Sequence, residues 1–238
     1  MNSTIIEVKD VSLDFPLRAH GLEQLTQLFR KKKSFKALKN ISIDIKKGEV
    51  FGIIGKNGSG KSTLLRVITG ILPTDAGQVL CGGEQTLLSG LGTGFSSLQT
   101  GRENAIIFGI TLGHNVKKIE EKMDYIIQFS ELGDFIDQPL RTYSAGMKAR
   151  LGLAVASAIE PDILLIDEVL GVGDPRFREK STNRILELVQ DAGTVVIVSH
   201  SFGLMKSICT RIAHIHNGEI VFVGDPELAI KSYYDLED

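Results

Sequence analysis

The 238 residues are enough for one large domain, or for one domain with an inserted lobe. Apolar residues make up 42% and charged residues 24%, as in ordinary globular proteins, and a net charge of −2 argues against nucleic acid as the main ligand. No apolar run approaches the roughly 20 residues of a membrane-spanning helix, and the N-terminus lacks a signal-peptide pattern. Cys81 and Cys209 have no metal-site spacing, which predicts buried, reduced thiols.

The first part of the chain predicts β-structure. Apolar and β-branched residues recur from Ile6 to Phe15, and Pro16 ends the run. Ile41, Ile43 and Ile45 then alternate with polar residues, which predicts a strand with one buried face. The chain therefore opens with an extended, sheet-forming segment.

An insert separates these two strands, from Leu17 to Lys36. Apolar side chains from Leu22 to Phe29 fall on one helical face, and the basic cluster Arg30–Lys33 follows. One interpretation is an amphipathic helix at a membrane surface or against a partner helix. The other is a surface helix packed on its own domain, with a solvated run of charge.

A phosphate-binding loop follows the apolar strand segment Val50–Ile54. It has the pattern glycine, four residues, then Gly-Lys-Ser, and helical periodicity after it ends at Gly70. Glycines let the backbone N–H groups point inward, and the helix N-terminus favours an anion. Lys61 can reach the β- and γ-phosphates, and the Ser62 hydroxyl can hold Mg²⁺.

The middle of the chain is turn-rich and then mostly helical. A short strand is predicted around Gln78–Cys81, and a helical stretch runs from about Gly101 to Ile136. This stretch predicts a helical lobe inserted between two halves of a nucleotide-binding core.

The last part returns to α/β alternation, with predicted helices at Met147–Ile159 and Arg184–Gln190. The apolar run Ile163–Ile166 ends in two carboxylates, at the edge where open α/β sheets place ligands. Asp167 can complete the Mg²⁺ shell with Ser62, and Glu168 can polarise the attacking water.

Two further features follow along this part of the chain. The run Thr194–Val198 predicts another buried strand, and His200 beyond its end can donate a hydrogen bond to the γ-phosphate. Ile212–His216 and Glu219–Val223, joined by Asn217-Gly218, predict a hairpin.

A second anion cradle is predicted at Tyr143–Met147, where a hydroxyl and a glycine begin a helix. Because one nucleotide already occupies the phosphate loop, the second cradle points to a partner's nucleotide. With these ordered motifs the chain resembles ABC-type ATPases, and Tyr143–Met147 is similar to their signature sequence. The resemblance implies an α/β fold: a P-loop NTPase core of ABC type with an N-terminal antiparallel β subdomain and an inserted helical subdomain.

The resemblance also implies a homodimer with two ATP molecules and Mg²⁺ between opposing subunits. The predicted single domain has its core at about residues 1–90 and 160–238, its helical subdomain at about 95–159 and its amphipathic insert at about 17–36. The site residues comprise catalytic Glu168, His200 and Lys61; magnesium ligands Ser62 and Asp167; and nucleotide contacts Gly55, Lys56, Asn57, Gly58, Ser59, Gly60, Lys61, Ser62, Thr63, Phe15, Ser144 and Gly146.

Several short sequence segments resemble those of the bacterial exporters of lipid-linked O-antigen polysaccharide and teichoic acid. They are Leu91–Phe95, Thr100–Asn104, Glu131–Ile136, Tyr143–Met147 and Asp167–Asp174. The resemblance implies transmembrane permease partners, a peripheral position on the cytoplasmic face of the cytoplasmic membrane, and indirect action on a lipid-linked glycan. It also places the insert 17–36 near the membrane interface.

The chain departs from the family pattern at a few positions. Met147 replaces the usual signature glutamine, and Gln99 is only a weak match to the glutamine that usually follows the middle strand. Phe15 is expected to stack on adenine, with Phe35 as the alternative. No extra carbohydrate-binding domain is expected, and an ABC importer ATPase or a soluble ABC ATPase remains the rival function.

Overall fold

The computed structural model describes residues 3–16, 34–90, 92, 94–158, 161–167, 175–191 and 193–237. In chain order the elements are β1 (Thr4–Pro16), β2 (Ser34–Lys46), β3 (Val50–Ile54), α1 (Lys61–Ile68), β4 (Ala76–Cys81), β5 (Gln85–Ser89), α2 (Gly101–Thr111), α3 (Val116–Glu121), α4 (Met123–Ser130), two 3₁₀ helices (Gly133–Asp137 and Leu140–Thr142), α5 (Ala145–Ser157), β6 (Ile163–Asp167), α6 (Pro175–Asp191), β7 (Thr194–Val198), α7 (Phe202–Ile208), β8 (Arg211–His216), β9 (Glu219–Gly224) and α8 (Pro226–Glu237).

The chain forms two compact units. The first combines residues up to Gly82 with those from Ser201 onward, and the second runs from Gly83 to His200. This division does not test the predicted boundaries of the core and of the helical subdomain, which stay a prediction. Within the described ranges, no helix combines the length and apolar character required to cross a bilayer.

An antiparallel sheet in the order β2-β1-β4 lies in the first unit. Alternate side chains such as Ile6, Val8 and Ile41 are buried, because successive residues of a strand point to opposite faces. The predicted N-terminal antiparallel β-structure is confirmed. Residues 34–36, at the end of the predicted insert, are the first residues of β2.

Three more strands of the first unit pair in the order β3-β8-β9, with β3 parallel to β8 and β8 antiparallel to β9. Asn217 and Gly218 connect β8 to β9 with φ angles of 50° and 82°, and such left-handed positions favour asparagine and glycine. The predicted hairpin is confirmed. β3 leads into α1, which ends before Gly70 (φ 71°), as predicted for a glycine helix stop.

The second unit contains the parallel strands β5, β6 and β7, with β6 paired to both neighbours. β6 and β7 are almost entirely buried, which fits their uninterrupted apolar sequences. Their register places Ser89, Asp167 and Val198 in line at the carboxyl ends. Two predicted site residues lie at this end of the strands: Asp167, which ends β6, and His200, which follows β7 by two residues.

The second unit also contains α2, α3 and α4, so the mostly helical stretch predicted from Gly101 to Ile136 is confirmed. The predicted helix at Met147–Ile159 was misplaced by two residues at its start, because Ser144 caps the helix and α5 begins at Ala145. The helix predicted at Arg184–Gln190 is the second half of the longer α6.

The two cysteines are unlinked. Cys209 is buried as predicted, and burial raises its pKa to about 12, so its thiol stays neutral. Cys81 is only half-buried, so the prediction of burial was wrong there, because Cys81 ends the edge strand β4. Its Sγ atom lies 3.6 Å from the Ile68 carbonyl oxygen.

Candidate nucleotide-binding site

The predicted phosphate loop joins β3 to α1, as the sequence indicated. Gly55, Gly58 and Gly60 have φ angles of 153°, 83° and 112°. A Cβ atom at Gly55 would overlap the Ile215 carbonyl oxygen, and one at Gly60 would lie 2.7 Å from the Ala37 carbonyl oxygen. Both positions therefore require glycine, for conformation and for space.

Lys61 folds back over this loop. Its side chain is buried, and its Nζ donates hydrogen bonds to the carbonyl oxygens of Gly55 (2.8 Å) and Lys56 (3.0 Å). The ammonium group is thus held by the loop itself, at the N-terminus of α1. Positive charge at a helix N-terminus makes this an anion-binding position.

Two observations test whether a nucleotide phosphate fits this loop. Gly60 caps α1 without a side-chain hydrogen bond, and the first turn contains no acidic residue. The buried Ser59 Oγ has no hydrogen-bond partner within the described part of the chain. Because buried polar atoms are nearly always hydrogen-bonded, the Ser59 hydroxyl fits a loop that receives an oxyanion. A first turn without carboxylates fits an anion at the helix N-terminus.

Asp167 and His200 both lie at the carboxyl ends of the parallel strands in the second unit. Asp167 is the last residue of β6, and the Ser89 Oγ donates a hydrogen bond of 3.4 Å to its Oδ2 atom. His200 is exposed and stands two residues beyond the end of β7. The structure therefore brings these two predicted residues to one edge.

Ser144 begins the second predicted cradle. It is the N-cap of α5, and its hydroxyl oxygen accepts a hydrogen bond of 3.2 Å from the Met147 N–H. The hydroxyl can still donate, because a serine oxygen accepts and donates independently. Gly146 lies in the first turn, which contains no acidic residue, so this helix N-terminus also suits an anion.

The two candidate adenine-stacking residues are direct neighbours. Phe15 on β1 pairs with Phe35 on β2, and the side chains are 38% and 51% exposed. Exposed aromatic rings at one point of a sheet can form a stacking platform. The structure brings both candidates together, so they belong to one surface.

Two predicted features lie outside the described residues. One is Glu168 with the string that follows it to Asp174, and the other is residues 17–33 of the insert. The phosphate loop belongs to the first unit, whereas Asp167, His200 and Ser144 belong to the second.

Sequence reasoning assigned no role of its own to Asn104, which lies in α2 and is fully buried. Its side chain hydrogen-bonds the backbone of Ser96, Gln99 and Thr100. The pattern Thr100-x-x-Glu103 could have located the start of this helix, because it forms a capping box. The carbonyl oxygen of Gln99 accepts hydrogen bonds from the Asn104 Nδ2 and from the Leu140 N–H.

The family model described as ABC transporter matches residues 38–171. The chain is 41% identical over 232 residues to the teichoic acids export ATP-binding protein TagH of Enterococcus faecalis, covering 96% of this chain and 52% of that protein. It is 39% identical over 240 residues to the O-antigen export system ATP-binding protein RfbB of Klebsiella pneumoniae, covering 96% of this chain and 97% of that protein.

A solved ATP-binding cassette dimer bound to ADP and phosphate is similar in fold. Its TM-score is 0.70 at 23% identity, covering 93% of this chain and 98% of that chain. This likeness confirms the predicted fold class. The family model covers more than half of the sequence, and the Klebsiella relative aligns along nearly its full length, although the chain spans about half of the Enterococcus relative. The chain therefore belongs to the ABC transporter family, as predicted, and is an ATPase of the ATP-binding cassette type.

Proposed function

We propose that this chain is the ATP-binding and ATP-hydrolysing subunit of a membrane exporter for lipid-linked polysaccharide of the O-antigen type. The observation that carries the proposal is the likeness to ATP-binding proteins of O-antigen and teichoic acid export across 96% of the chain. The subunit would act as a homodimer on separate transmembrane permease subunits. Its place is the cytoplasmic face of the cytoplasmic membrane.

Teichoic acid is the second candidate substrate. The Enterococcus relative, which is named for teichoic acid export, is as similar to this chain as the Klebsiella relative, which is named for O-antigen export. Both substrates are lipid-linked glycans, so the ATPase would have the same task in either exporter. The Klebsiella relative is favoured because the alignment covers nearly all of it.

The loop Gly55–Thr63 would hold the phosphates of ATP. Its backbone N–H groups and the ammonium of Lys61 would stabilise charge on the β- and γ-phosphates. Ser62 and Asp167 would hold Mg²⁺, which when bound neutralises phosphate charge. Phe15, with Phe35 beside it, would stack on the adenine ring.

Ser144 and Gly146 would contact the nucleotide that the partner subunit's loop binds. Ser144 is exposed and caps α5, so its hydroxyl is available to an incoming phosphate. Glu168 would act as general base for the attacking water, and His200 would donate a hydrogen bond to the γ-phosphate. ATP binding would then close the dimer, and hydrolysis would reopen it.

The catalytic part of the proposal is tested with Glu168→Gln. Removing the base while keeping the side-chain size should preserve ATP binding, abolish turnover and accumulate an ATP-bound dimer. The measurements are phosphate release and size-exclusion chromatography with ATP. Glu120→Gln, at an exposed position of α3, is the matched control and should behave as wild type. Normal turnover in Glu168→Gln would remove Glu168 from this role.

The exporter part needs a separate test. The full chain should co-purify from membranes with a polytopic membrane protein, and cells lacking it should accumulate lipid-linked glycan on the cytoplasmic side. Complementation with Glu168→Gln should fail to restore export. A purely soluble set of partners would contradict the proposal and favour a soluble ABC ATPase, whereas dependence of solute uptake on the chain would favour an importer.

A further inference from the structure

The loop before α2 and the segment before the signature are joined as one small structure, which we call the clip (residues 96–101 and 138–143). Thr100 and Pro139 form an isolated antiparallel bridge between its two halves. Three backbone hydrogen bonds join them: Leu140 N–H to the Gln99 oxygen (2.8 Å), Arg141 N–H to the Ser97 oxygen (2.9 Å) and Gly101 N–H to the Gln138 oxygen (3.2 Å).

The side chain of Asn104, in α2, holds the first half of the clip in place. Its Oδ1 accepts from the Ser96 N–H (2.7 Å), and its Nδ2 lies within hydrogen-bond distance of the carbonyl oxygens of Ser96 (3.0 Å), Gln99 (3.1 Å) and Thr100 (2.8 Å). The residue is completely buried. Buried polar networks with every group satisfied are rigid, so one side chain sets the course of the loop.

Tyr143 fixes the second half. Its ring is buried, and its hydroxyl donates a hydrogen bond to the Phe135 carbonyl oxygen. Gly101 leaves the space that the hydroxyl occupies: a Cβ atom there would overlap the Tyr143 Oη and would lie 2.9 Å from the Ile136 oxygen. Burial raises the pKa of Tyr143 to about 12, which keeps the hydroxyl protonated as a donor.

Ser144 follows Tyr143 directly, so no residue separates the anchored ring from the cap of α5. We infer that Asn104 and Tyr143 are positioning residues of the signature cradle: they tie the place of the Ser144 hydroxyl to the loop 96–100 through the clip. The inference rests on the proposed function, in which Ser144 meets the partner subunit's nucleotide.

The decisive variant is Tyr143→Phe, which removes the hydroxyl and keeps the ring. ATP binding to the phosphate loop should stay at the wild-type affinity, whereas ATP-induced dimer formation in the Glu168→Gln background and kcat should each fall about fivefold to tenfold, the effect of one lost hydrogen bond. Tyr125→Phe is the matched control. Its hydroxyl, 3.4 Å from the Ser157 Oγ, lies in the same unit but outside the clip.

Gly101→Ala provides a second, independent disturbance, because the added methyl group would wedge the clip open. It should lower dimer formation at least as much as Tyr143→Phe. The double variant Gly101→Ala/Tyr143→Phe should be less impaired than the sum of the two, because the overlapping oxygen is gone. Gly203→Ala, where a Cβ meets no atom within 4 Å, is the control.

The outcomes separate the inference from the proposed function. If Tyr143→Phe and Tyr125→Phe affect dimer formation equally, or if Tyr143→Phe weakens ATP binding as much as dimer formation, the inference is wrong. If the wild-type chain neither hydrolyses ATP nor dimerises with it, the proposed function itself fails. Selective loss of dimer formation in both clip variants, with a double variant less impaired than the sum of the two, supports the positioning role.

Discussion

The phosphate loop and the signature cradle are both helix N-termini suited to anions, but they are built in different ways. Within the loop, the glycines adopt left-handed φ angles and Lys61 bonds the carbonyl oxygens of Gly55 and Lys56. The distant carbonyl oxygens of Ile215 and Ala37 also lie against Gly55 and Gly60. The cradle depends on distant residues, because the segment before Ser144 is anchored through the clip. The pattern of the phosphate loop is therefore visible in the local sequence, whereas the anchoring of the cradle arises only from tertiary packing.

The two sites also differ in exposure. Lys61 is 5% exposed, whereas Ser144 is exposed at the start of α5. A buried cation held by its own loop suits a nucleotide bound by the same chain. An exposed hydroxyl on a fixed backbone suits a nucleotide presented by a second chain. Variants of the two sites should therefore fail at different steps.

The largest effect is expected from Lys61→Met. The substitution removes the ammonium that the loop holds at the N-terminus of α1 and keeps a side chain of similar length. Losing one such stabilising donor typically lowers turnover by about 10²–10³-fold. Phosphate release and equilibrium binding of a fluorescent ATP analogue should both fall.

Lys47→Met, at an exposed position of the same unit, is the control and should keep both activities. Tight nucleotide binding by Lys61→Met together with reduced dimer formation would contradict the difference drawn between the two sites. The loop would then fail at dimer formation, the step assigned to the cradle.

Ser144→Ala should have the next largest effect. It removes the cap of α5, which costs about 1 kcal/mol of stability, and deletes the proposed contact with the partner's nucleotide. Turnover should fall about tenfold while nucleotide binding stays unchanged, as expected for a lost contact to a charged group. Asn115→Ala is a matched control, because Asn115 caps α3 with the same type of hydrogen bond.

Equal turnover in Ser144→Ala and Asn115→Ala, at equal loss of stability, would show that Ser144 acts only as a helix cap. Ser144 would then contribute only to the stability of the fold, and other residues would have to contact the partner's nucleotide.

The same contrast explains what the sequence could predict. The phosphate loop, the carboxylate that ends β6 and the Asn217-Gly218 hairpin each have a recognisable local sequence pattern, so they could be predicted. The clip escaped prediction because its bonds join segments on either side of three α-helices and a 3₁₀ helix, and nothing local to Asn104 or Tyr143 indicates a partner.

Boundaries failed for a related reason. The start of α5 was placed at Met147, but Ser144 caps the helix and its first residue is Ala145, two residues earlier. The first half of α6 was missed, because its sequence before Arg184 is mostly polar and charged. Apolar periodicity finds the buried part of a helix rather than its ends.

A pH dependence is expected in the second unit from His114. Burial, with help from the charge of Lys118, lowers the pKa of His114 below its ordinary value of 6.5. As the pH falls below about 6.5, the unfolded chain takes up a proton at this position before the folded chain does. Protonation therefore favours unfolding, so the free energy of unfolding is highest above about pH 6.5 and decreases as the pH falls toward the folded pKa. The midpoint of urea unfolding should drop between pH 7.5 and pH 5.5.

His114→Asn should reduce this drop, and Lys118→Gln should reduce it less, because repulsion by Lys118 is the smaller of the two causes. An unchanged drop in His114→Asn would assign the pH dependence to other groups.

The smallest effect is expected from Asp137→Asn. Arg102 makes a bidentate ion pair with Asp137 (2.8 and 3.2 Å), joining α2 to the 3₁₀ helix that supplies the Phe135 carbonyl oxygen. Hydrogen bonding from Arg102 lowers the pKa of Asp137 below its ordinary value of 3.8, so the pair stabilises the fold at neutral pH and its contribution is lost as pH falls through the folded pKa.

Because both partners of this pair are exposed, solvent screens it, and thermal unfolding of Asp137→Asn at pH 7 should differ from wild type less than that of Ser144→Ala. Asp134→Asn, exposed in the same 3₁₀ helix, should not differ from wild type. The clip would then owe its geometry to the buried bonds of Asn104 and Tyr143. If Asp137→Asn instead reduced dimer formation as much as Tyr143→Phe, the surface pair would share in setting the cradle, and the cradle would respond to ionic strength.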